Sequence, residues 1–239
     1  MTWKQQIVKV FNNLGYDLRR YRPDTHSLAR RKAQMKLYGV DLVIDVGANA
    51  GQFGEELRHN GYLGEIYSFE PLNDAFSVLE SVASRSKDWR VKNCALGAER
   101  GTSIIHVSGN SFSSSLLDML PSHEEAAPDS KYVRDQEIQV ETLDDLLPEI
   151  SQADRSIWLK IDTQGFEHQV ISGAVKSLHR IHTIQMEISL TPLYSGALNI
   201  QEMITLMADH GYGIIDIEPE FCDQTTGRLL QANITFHRD

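Results

Sequence analysis

The sequence predicts an α/β fold: a central, mostly parallel sheet of seven strands with helices on both faces, ending in an antiparallel hairpin. From residue 42 onward, short runs rich in β-branched residues alternate with helical runs, which is typical of parallel strands joined by crossover helices. The last two strand-like runs, 213–219 and 232–237, are joined by a short polar connection containing Gly227. A parallel crossover needs about a dozen residues or more, so these two runs must pair antiparallel.

The individual elements follow from local periodicity. Apolar residues at helical spacing, from Trp3 to Leu14, predict an N-terminal helix that stops at Gly15 and is followed by a looser basic segment. A Ser- and acid-rich insertion at 109–131 predicts a loop with one helical turn. The remaining predicted strands are 42–46, 65–70, 90–96, 102–107, 136–141, 157–162 and 183–188, and the remaining helices are 52–60, 73–84, 166–179 and 199–210.

Charge divides the chain into two predicted parts, an N-terminal helical arm or lid at 1–39 and a main domain at 40–239. The net charge is −10, but residues 1–36 hold nine Lys/Arg against two Asp, a balance of +7, which leaves −17 for the remainder. Because nucleic-acid affinity depends largely on Lys and Arg, this acidic body predicts no nucleic-acid partner. The basic arm is interpreted as packing on the acidic body, or as touching an anionic substrate or membrane surface.

Cysteine usage and hydropathy predict a cytoplasmic protein. Cys94 and Cys222 match no metal-ligand spacing and are too few for a disulfide framework, which favours a reducing compartment. No apolar run approaches the roughly 18 residues of a transmembrane segment, and the N-terminus lacks an apolar signal core. No pattern in the sequence indicates an oligomeric state.

A glycine-rich turn after the first predicted strand, in VIDVGANAGQFGEEL (43–57), predicts a ligand-binding loop. Asn49 stands where a dinucleotide fingerprint requires glycine. Asp45, beside the loop, would repel a pyrophosphate but suits a ligand that carries an ammonium and a sulfonium, as S-adenosylmethionine does. Glu70 lies nineteen residues after Gly51, the position of an acid that accepts the ribose hydroxyls in either type of site. The antiparallel hairpin also fits S-adenosylmethionine-dependent methyltransferases better than the fully parallel dinucleotide fold, which leaves an NAD(P)-dependent oxidoreductase as the alternative.

Six blocks resemble the FkbM family of methyltransferases, in order over roughly residues 40–190: VIDVGANAGQFG, SFEP, VKNCALG, VETLDDLL, LKIDTQGFEHQVISGA and IQMEIS. The resemblance implies a class I methyltransferase (Rossmann-like) fold over 40–239, with S-adenosylmethionine as the methyl donor. It also implies O-methylation of a hydroxyl on a sugar, polyketide or related small metabolite. Gln164 departs from the family pattern, since many members have Glu there.

The candidate cofactor residues follow the carboxyl ends of the first three central strands, where open α/β sheets bind ligands. Four are expected around the methionine moiety, one on the ribose and three beside the adenine: Asp45, Gly47, Asn49 and Gly51; Glu70; and Asn93, Ala95 and Leu96. An alternative interpretation of VKNCAL is that Asn93 and Ala95 simply complete a strand.

The candidate catalytic residues are Asp162 and Glu187. By resemblance, Asp162 borders the transferring methyl group, so it is predicted to be the base or acceptor-orienting group, with Glu187 as its partner. With Asp216 these carboxylates could ligate Mg²⁺, but no His/Glu spacing supports a metal site, and none is predicted. A nucleotide-binding module without catalysis and a macromolecular methyltransferase are further alternatives. Thr163-Gln164-Gly165 replaces the Pro-Pro-aromatic turn of adenine amino-methylating enzymes, which disfavours the latter.

Overall fold

The computed structural model describes residues 3–151 and 154–239, and the chain forms two compact units, the segment up to Gly39 and Val40–Asp239. The first unit contains helices α1 (Trp3–Asn13) and α2 (Ser27–Leu37). Helix α1 agrees with the predicted periodicity, and Gly15 follows it at φ +82°. Helix α2 was predicted as a looser segment, because its four Lys/Arg residues obscure its apolar spacing.

The second unit alternates strands and helices. Its strands are β1 (Leu42–Val46), β2 (Glu65–Phe69), β3 (Trp89–Lys92), β4 (Ala95–Leu96), β5 (Gly101–Ser108), β6 (Tyr132–Glu141), β7 (Ile157–Ile161), β8 (Ile181–Ser189), β9 (Gly213–Cys222) and β10 (Leu229–His237). Its α-helices are α3 (Gln52–His59), α4 (Asn73–Ala83), α5 (Pro121–Ala126), α6 (Leu143–Ile150), α7 (Glu167–Ser172) and α8 (Ile200–Asp209). Short 3₁₀ turns lie at Pro128–Ser130 and Leu178–Arg180.

The main sheet has seven strands in the order β3-β2-β1-β7-β8-β10-β9. Every residue of β1 and β7 is buried, as expected for central parallel strands covered on both faces. Strand β10 runs antiparallel to both β8 and β9, which confirms the predicted terminal hairpin. This is the class I methyltransferase architecture. The strand order reverses between β1 and β7, so their carboxyl ends flank the crevice where such sheets bind ligands.

A second, three-stranded sheet has the order β4-β6-β5. The single strand predicted at 90–96 is therefore wrong: β3 belongs to the main sheet, whereas β4 pairs with β6. The chain changes sheets at Asn93, whose side-chain amide donates to the carbonyls of Glu70 and Pro71. Local apolar pattern cannot reveal this change, since both pieces have the composition of a strand.

Two helices differ from the prediction. The helix predicted at 166–179 ends at Ser172, and beyond it the amides of Lys176 and Ser177 donate to the Asp144 side chain. Gly173 packs so closely against Gly97 that a Cβ there would lie 1.9 Å from the Gly97 carbonyl oxygen. Helix α6 was not predicted, although Thr142 caps it by accepting a hydrogen bond from the Asp145 amide. Pro148 within α6 weakened its helical signal. No helix among the described residues is long and apolar enough to cross a bilayer.

Candidate active site

A cavity of about 320 Å³ lies at the carboxyl ends of the central strands. The segments that follow β1, β2 and β7 contribute to its wall, together with β4, the end of β8 and the insertion after β5. Its lining combines acids, amides and apolar side chains, among them Asn49, Glu70, Leu96, Ile105, Phe112, Asp162, Gln164, Phe166, Glu187 and Glu220.

The glycine loop after β1 lines one side of this cavity. Gly47 has φ +76°, and a Cβ at this position would lie 1.9 Å from the carbonyl oxygen of Asp162. Only glycine therefore lets the loop approach the end of β7 this closely. Asn49 has φ +47°, a left-handed conformation that Asn tolerates, and its side-chain oxygen accepts a hydrogen bond of 2.7 Å from the Ala50 amide.

Glu70 connects the glycine loop to the end of β2. Its Oε2 accepts from the Asn49 amide and its Oε1 from the Leu72 amide, both at 2.8 Å. Burial raises the pKa of Glu70 to about 7, although these two amides lower it. A carboxylate has about four lone-pair sites, so two are left for a ligand in the cavity.

Lys160, in the middle of β7, links two acids at the back of the loop. Its Nζ lies 3.2 Å from Asp45 Oδ1 and 3.3 Å from Asp162 Oδ2, and it donates to the carbonyl of Gly47 at 3.3 Å. Burial lowers the pKa of Lys160, but the charges of Asp45 and Asp162 raise it above its ordinary value. The cation therefore fixes Asp162 to the strand beneath the cavity.

A polar cluster joins Asp162 to Glu187 through Gln164. The Gln164 amide nitrogen donates to Asp162 Oδ1 at 2.7 Å and also to Glu187 Oε2. Its oxygen accepts a hydrogen bond of 2.7 Å from the Tyr194 hydroxyl. Gln164 has φ +53°, unusual for a residue with a long side chain, and Ser115 Oγ donates to its carbonyl at 2.7 Å.

The electrostatics of this cluster separate its two acids. Burial raises the pKa of Glu187 well above its ordinary value, and the charge and hydrogen bond of Asp162 raise it further. Asp162, in contrast, is ion-paired with Lys160. Burial beside Asp162 therefore favours the protonated form of Glu187.

The structure brings together most of the predicted site residues and leaves three outside the lining. Seven line the cavity: Gly47, Asn49, Glu70, Ala95, Leu96, Asp162 and Glu187. Asp45 is fully buried behind the loop against Lys160 and Ser68. Gly51 begins α3 and packs near Leu79 and Trp89. Asn93 is turned toward the backbone after β2. These three residues shape the loop and the chain path and do not line the cavity.

Sequence reasoning did not assign several residues that the structure places at the cavity. Gln164 was noted only as a departure from the family pattern, and Tyr194 carried no local signal because it lies 30 residues further along. Phe112 and Leu116 come from the insertion, which has no periodicity to align it with the sheet. Among residues 3–151 and 154–239, no group of three or more His, Cys, Asp or Glu side chains is arranged to hold a metal ion.

Comparison with known proteins identifies one family. The model of the methyltransferase FkbM domain matches residues 45–214, which is most of the chain. None of the curated proteins compared matches this sequence.

Solved structures of similar fold include other methyltransferases. Methyltransferase FkbM from Methylobacillus flagellatus KT is 14% identical with a TM-score of 0.46, and the match covers 82% of this chain and 43% of that one. TehB from Haemophilus influenzae is 10% identical with a TM-score of 0.47, covering 87% and 61%. Aeropyrum pernix fibrillarin, with natively bound S-adenosyl-L-methionine, is 14% identical with a TM-score of 0.46, covering 86% and 74%. The chain thus spans less than half of the similar FkbM methyltransferase structure.

Proposed function

The chain belongs to the FkbM family of methyltransferases, and from this premise we propose that it methylates a hydroxyl group of a sugar, polyketide or related small metabolite. S-adenosylmethionine is its methyl donor. The observation that carries the proposal is one cavity lined both by Glu70 and the glycine loop and by the Asp162–Gln164–Glu187 cluster.

The cavity residues fit S-adenosylmethionine. Glu70 presents two unused acceptor positions, the number needed for the two ribose hydroxyls. Leu96, Ile105 and Phe166 supply apolar walls suited to a purine. Gly47 and Asn49 border the same space, so we assign the methionine end to the loop and the adenine end to Ala95 and Leu96.

Asp162 is proposed to orient the acceptor. S-adenosylmethionine, when bound, supplies an electrophilic methyl group on a sulfonium. The protein must hold the acceptor hydroxyl in line with that group, and Asp162 can accept a hydrogen bond from the hydroxyl and take its proton. Lys160 and Gln164 hold the two oxygens of Asp162, at 3.3 and 2.7 Å, which fixes the direction of that hydrogen bond.

Positioning is expected to account for more of the rate than proton transfer. Orientation of reactants can contribute about 7–11 kcal/mol to a barrier. A positioned base typically contributes about 10²–10⁴-fold, roughly 3–5 kcal/mol. The cluster around Asp162 is therefore assigned chiefly to placement of the acceptor, with Glu187 as the partner of Asp162.

The family match sets aside the NAD(P)-dependent oxidoreductase that the glycine loop alone left open. A macromolecular acceptor is the second candidate. The balance of −17 outside residues 1–36 disfavours a polyanion at Val40–Asp239, so we favour a small acceptor.

The proposal is tested with methyl-labelled S-adenosylmethionine and a panel of hydroxylated sugars and polyketides, with RNA and a protein mixture as further substrates. We expect label in an ether of one small-molecule class, and loss of that product with Asp162→Ala. Label only in RNA or protein would overturn the small-molecule acceptor. Undiminished product from both Asp162→Ala and Glu187→Ala would overturn the residue assignment.

A further inference from the structure

Helix α1 exposes a continuous apolar face. Trp3, Ile7, Val10, Phe11 and Leu14 recur every three or four residues, so they lie on one side of the helix. Each of these five side chains is at least 40% exposed. Large apolar residues clustered in this way are uncommon on a protein surface and mark a binding face.

The same helix forms one wall of a groove of about 710 Å³, whose other wall is the segment Leu18–Arg20. Ile7 and Leu18 contribute apolar surface to the groove, and four cations border it: Lys4, Lys9, Arg19 and Arg20. An apolar groove bordered by cations is complementary to an anionic amphiphile, which has an apolar chain and a charged head.

The charge of the surrounding segment agrees with this chemistry. Residues 1–36 have a balance of +7, whereas the rest of the chain has −17. Clustered Lys and Arg next to an apolar helical face, with Trp and Phe on that face, are typical of helices that lie in the interface of anionic membranes. A polyanion without an apolar part would use the cations but leave the apolar face uncovered.

We propose that residues 3–22 bind the surface of an anionic lipid bilayer. The apolar face of α1 enters the headgroup region, and Lys4, Lys9 and Arg20 pair with lipid phosphates, whereas Arg19 is ion-paired with Asp17. Helix α1 has 11 residues, which is too short to span the membrane, so the association is peripheral. This binding is independent of the proposed methyl transfer.

The first test is co-sedimentation of the full chain with vesicles of phosphatidylcholine, with and without phosphatidylglycerol. We expect binding only to the anionic vesicles, weakened by high salt. Lys4→Gln with Lys9→Gln should lower the partition coefficient by roughly tenfold or more, since each cation at an anionic surface contributes roughly fivefold. Equal binding to both vesicle types, or none to either, would overturn the proposal.

A second pair of variants tests the apolar face. Ile7→Gln with Phe11→Gln should abolish binding to anionic vesicles. Leu63→Gln with Val133→Gln is the matched control, because these side chains are 88% and 66% exposed in the second unit. The control should bind as the wild type does; equal loss in both double variants, or loss in neither, would contradict the assignment of the face.

Tryptophan fluorescence gives an independent readout of insertion. The chain has three tryptophans, of which Trp3 is 66% exposed while Trp89 and Trp158 are 6% and 0% exposed. A blue shift of emission on anionic vesicles, absent in a Trp3→Phe variant that still binds, would place α1 in the interface. Binding without any shift in the wild type would overturn insertion of α1.

Other occupants of the face predict different outcomes. A dimer that Ile7→Gln with Phe11→Gln dissociates, with no vesicle binding, would assign the face to a second copy and overturn the proposal. If the wild type does not bind vesicles and Ile7→Gln with Phe11→Gln greatly lowers the melting temperature, the face packs within the chain. That result would also overturn the proposal. All variants should keep the thermal shift with S-adenosylhomocysteine, which separates failure of this proposal from failure of the proposed function.

Discussion

Glu70 and Glu187 are both buried carboxyls in one cavity, but the groups around them differ. Glu70 accepts hydrogen bonds from two backbone amides and faces the space assigned to the ribose. Glu187 faces Asp162 and shares Gln164 with it. At the residue scale, Glu70 is therefore suited to ligand binding, and Glu187 is suited to holding a proton next to the methyl acceptor.

The raised pKa of Glu70 predicts that cofactor affinity depends on pH. Burial raises this pKa to about 7, and two ribose hydroxyls would stabilise the ionised form and lower it in the complex. S-adenosylhomocysteine affinity should therefore fall below pH 7, by less than about tenfold per pH unit, and level off above it. Calorimetric titration from acid to mildly alkaline pH measures this.

Two variants test whether Glu70 causes this pH dependence. Glu70→Gln should bind weakly with a flat pH profile. Glu167→Gln is the control, because burial also raises the pKa of Glu167 to about 7. It should keep the wild-type profile, since Glu167 accepts hydrogen bonds from Thr163 and Gly165 and does not line the cavity. An unchanged profile in Glu70→Gln would refute the assignment.

The sign for stability is opposite to that for binding. The pKa values of Glu70 and Glu167 are higher in the folded protein than the value of 4.5 in the unfolded chain. Their stabilising contribution to the free energy of unfolding is therefore complete below pH 4.5 and is lost as pH rises through about 7. The apo protein should lose stability over that range while its affinity for S-adenosylhomocysteine increases.

Asp162 and Tyr194 are expected to affect turnover rather than cofactor binding. Asp162→Asn should lower kcat by about 10²–10⁴-fold. Tyr194→Phe removes the hydrogen bond that orients Gln164 and should lower kcat by about fivefold, since one such bond contributes about 1 kcal/mol. Steady-state kinetics on the identified acceptor, with Kd for S-adenosylhomocysteine in parallel, tests both; a large loss of cofactor affinity with intact kcat would reject these roles.

At the element scale, the turn after β1 and the end of β7 fit together only through Gly47. Gly47→Ala combines a left-handed φ of +76° with a Cβ 1.9 Å from a backbone oxygen. We expect it to lower the free energy of unfolding by at least about 3 kcal/mol, measured by denaturant or thermal unfolding.

Gly211→Ala is the matched control for this substitution. Gly211 has φ +83° with no atom within 4 Å of a Cβ, so it isolates the cost of the backbone conformation. That cost should be about 1 kcal/mol, or roughly 2–4 °C in melting temperature. Equal losses in the two variants would show that the close approach at Gly47 is unimportant.

The elements also show what local sequence can and cannot predict. The buried runs of β1 and β7 and the short connection before β10 were legible, because central parallel strands are rich in apolar residues along their whole length. The change of sheet at Asn93 and the early end of α7 were not, because both depend on contacts with segments distant in sequence.

The site divides in the same way. The acids at strand ends could be placed from the order of the strands alone. In contrast, Tyr194 and the residues of the insertion reach the cavity through long-range packing, which no local pattern encodes. The burial of Asp45 behind Lys160 was also hidden, since strand position does not say which side chains pair.

At the scale of the whole molecule, the chain combines a basic N-terminal segment with an acidic second unit that contains the cavity. The arrangement of acids in the cavity suits a ligand that carries positive charge, and the charge of the N-terminal segment suits an anionic surface. The two proposals therefore use different parts of the chain and can be tested separately.

The most direct test of the central claim is a thermal melt with S-adenosylhomocysteine at about a hundredfold excess over its Kd. Binding at that level contributes about 2.7 kcal/mol, or roughly 5–10 °C for a chain of this size. The account predicts this shift for the wild type and Glu167→Gln, its loss in Glu70→Ala, and no shift with NAD⁺. No shift in the wild type, or a full shift in Glu70→Ala, would contradict the assignment of this cavity as the cofactor site.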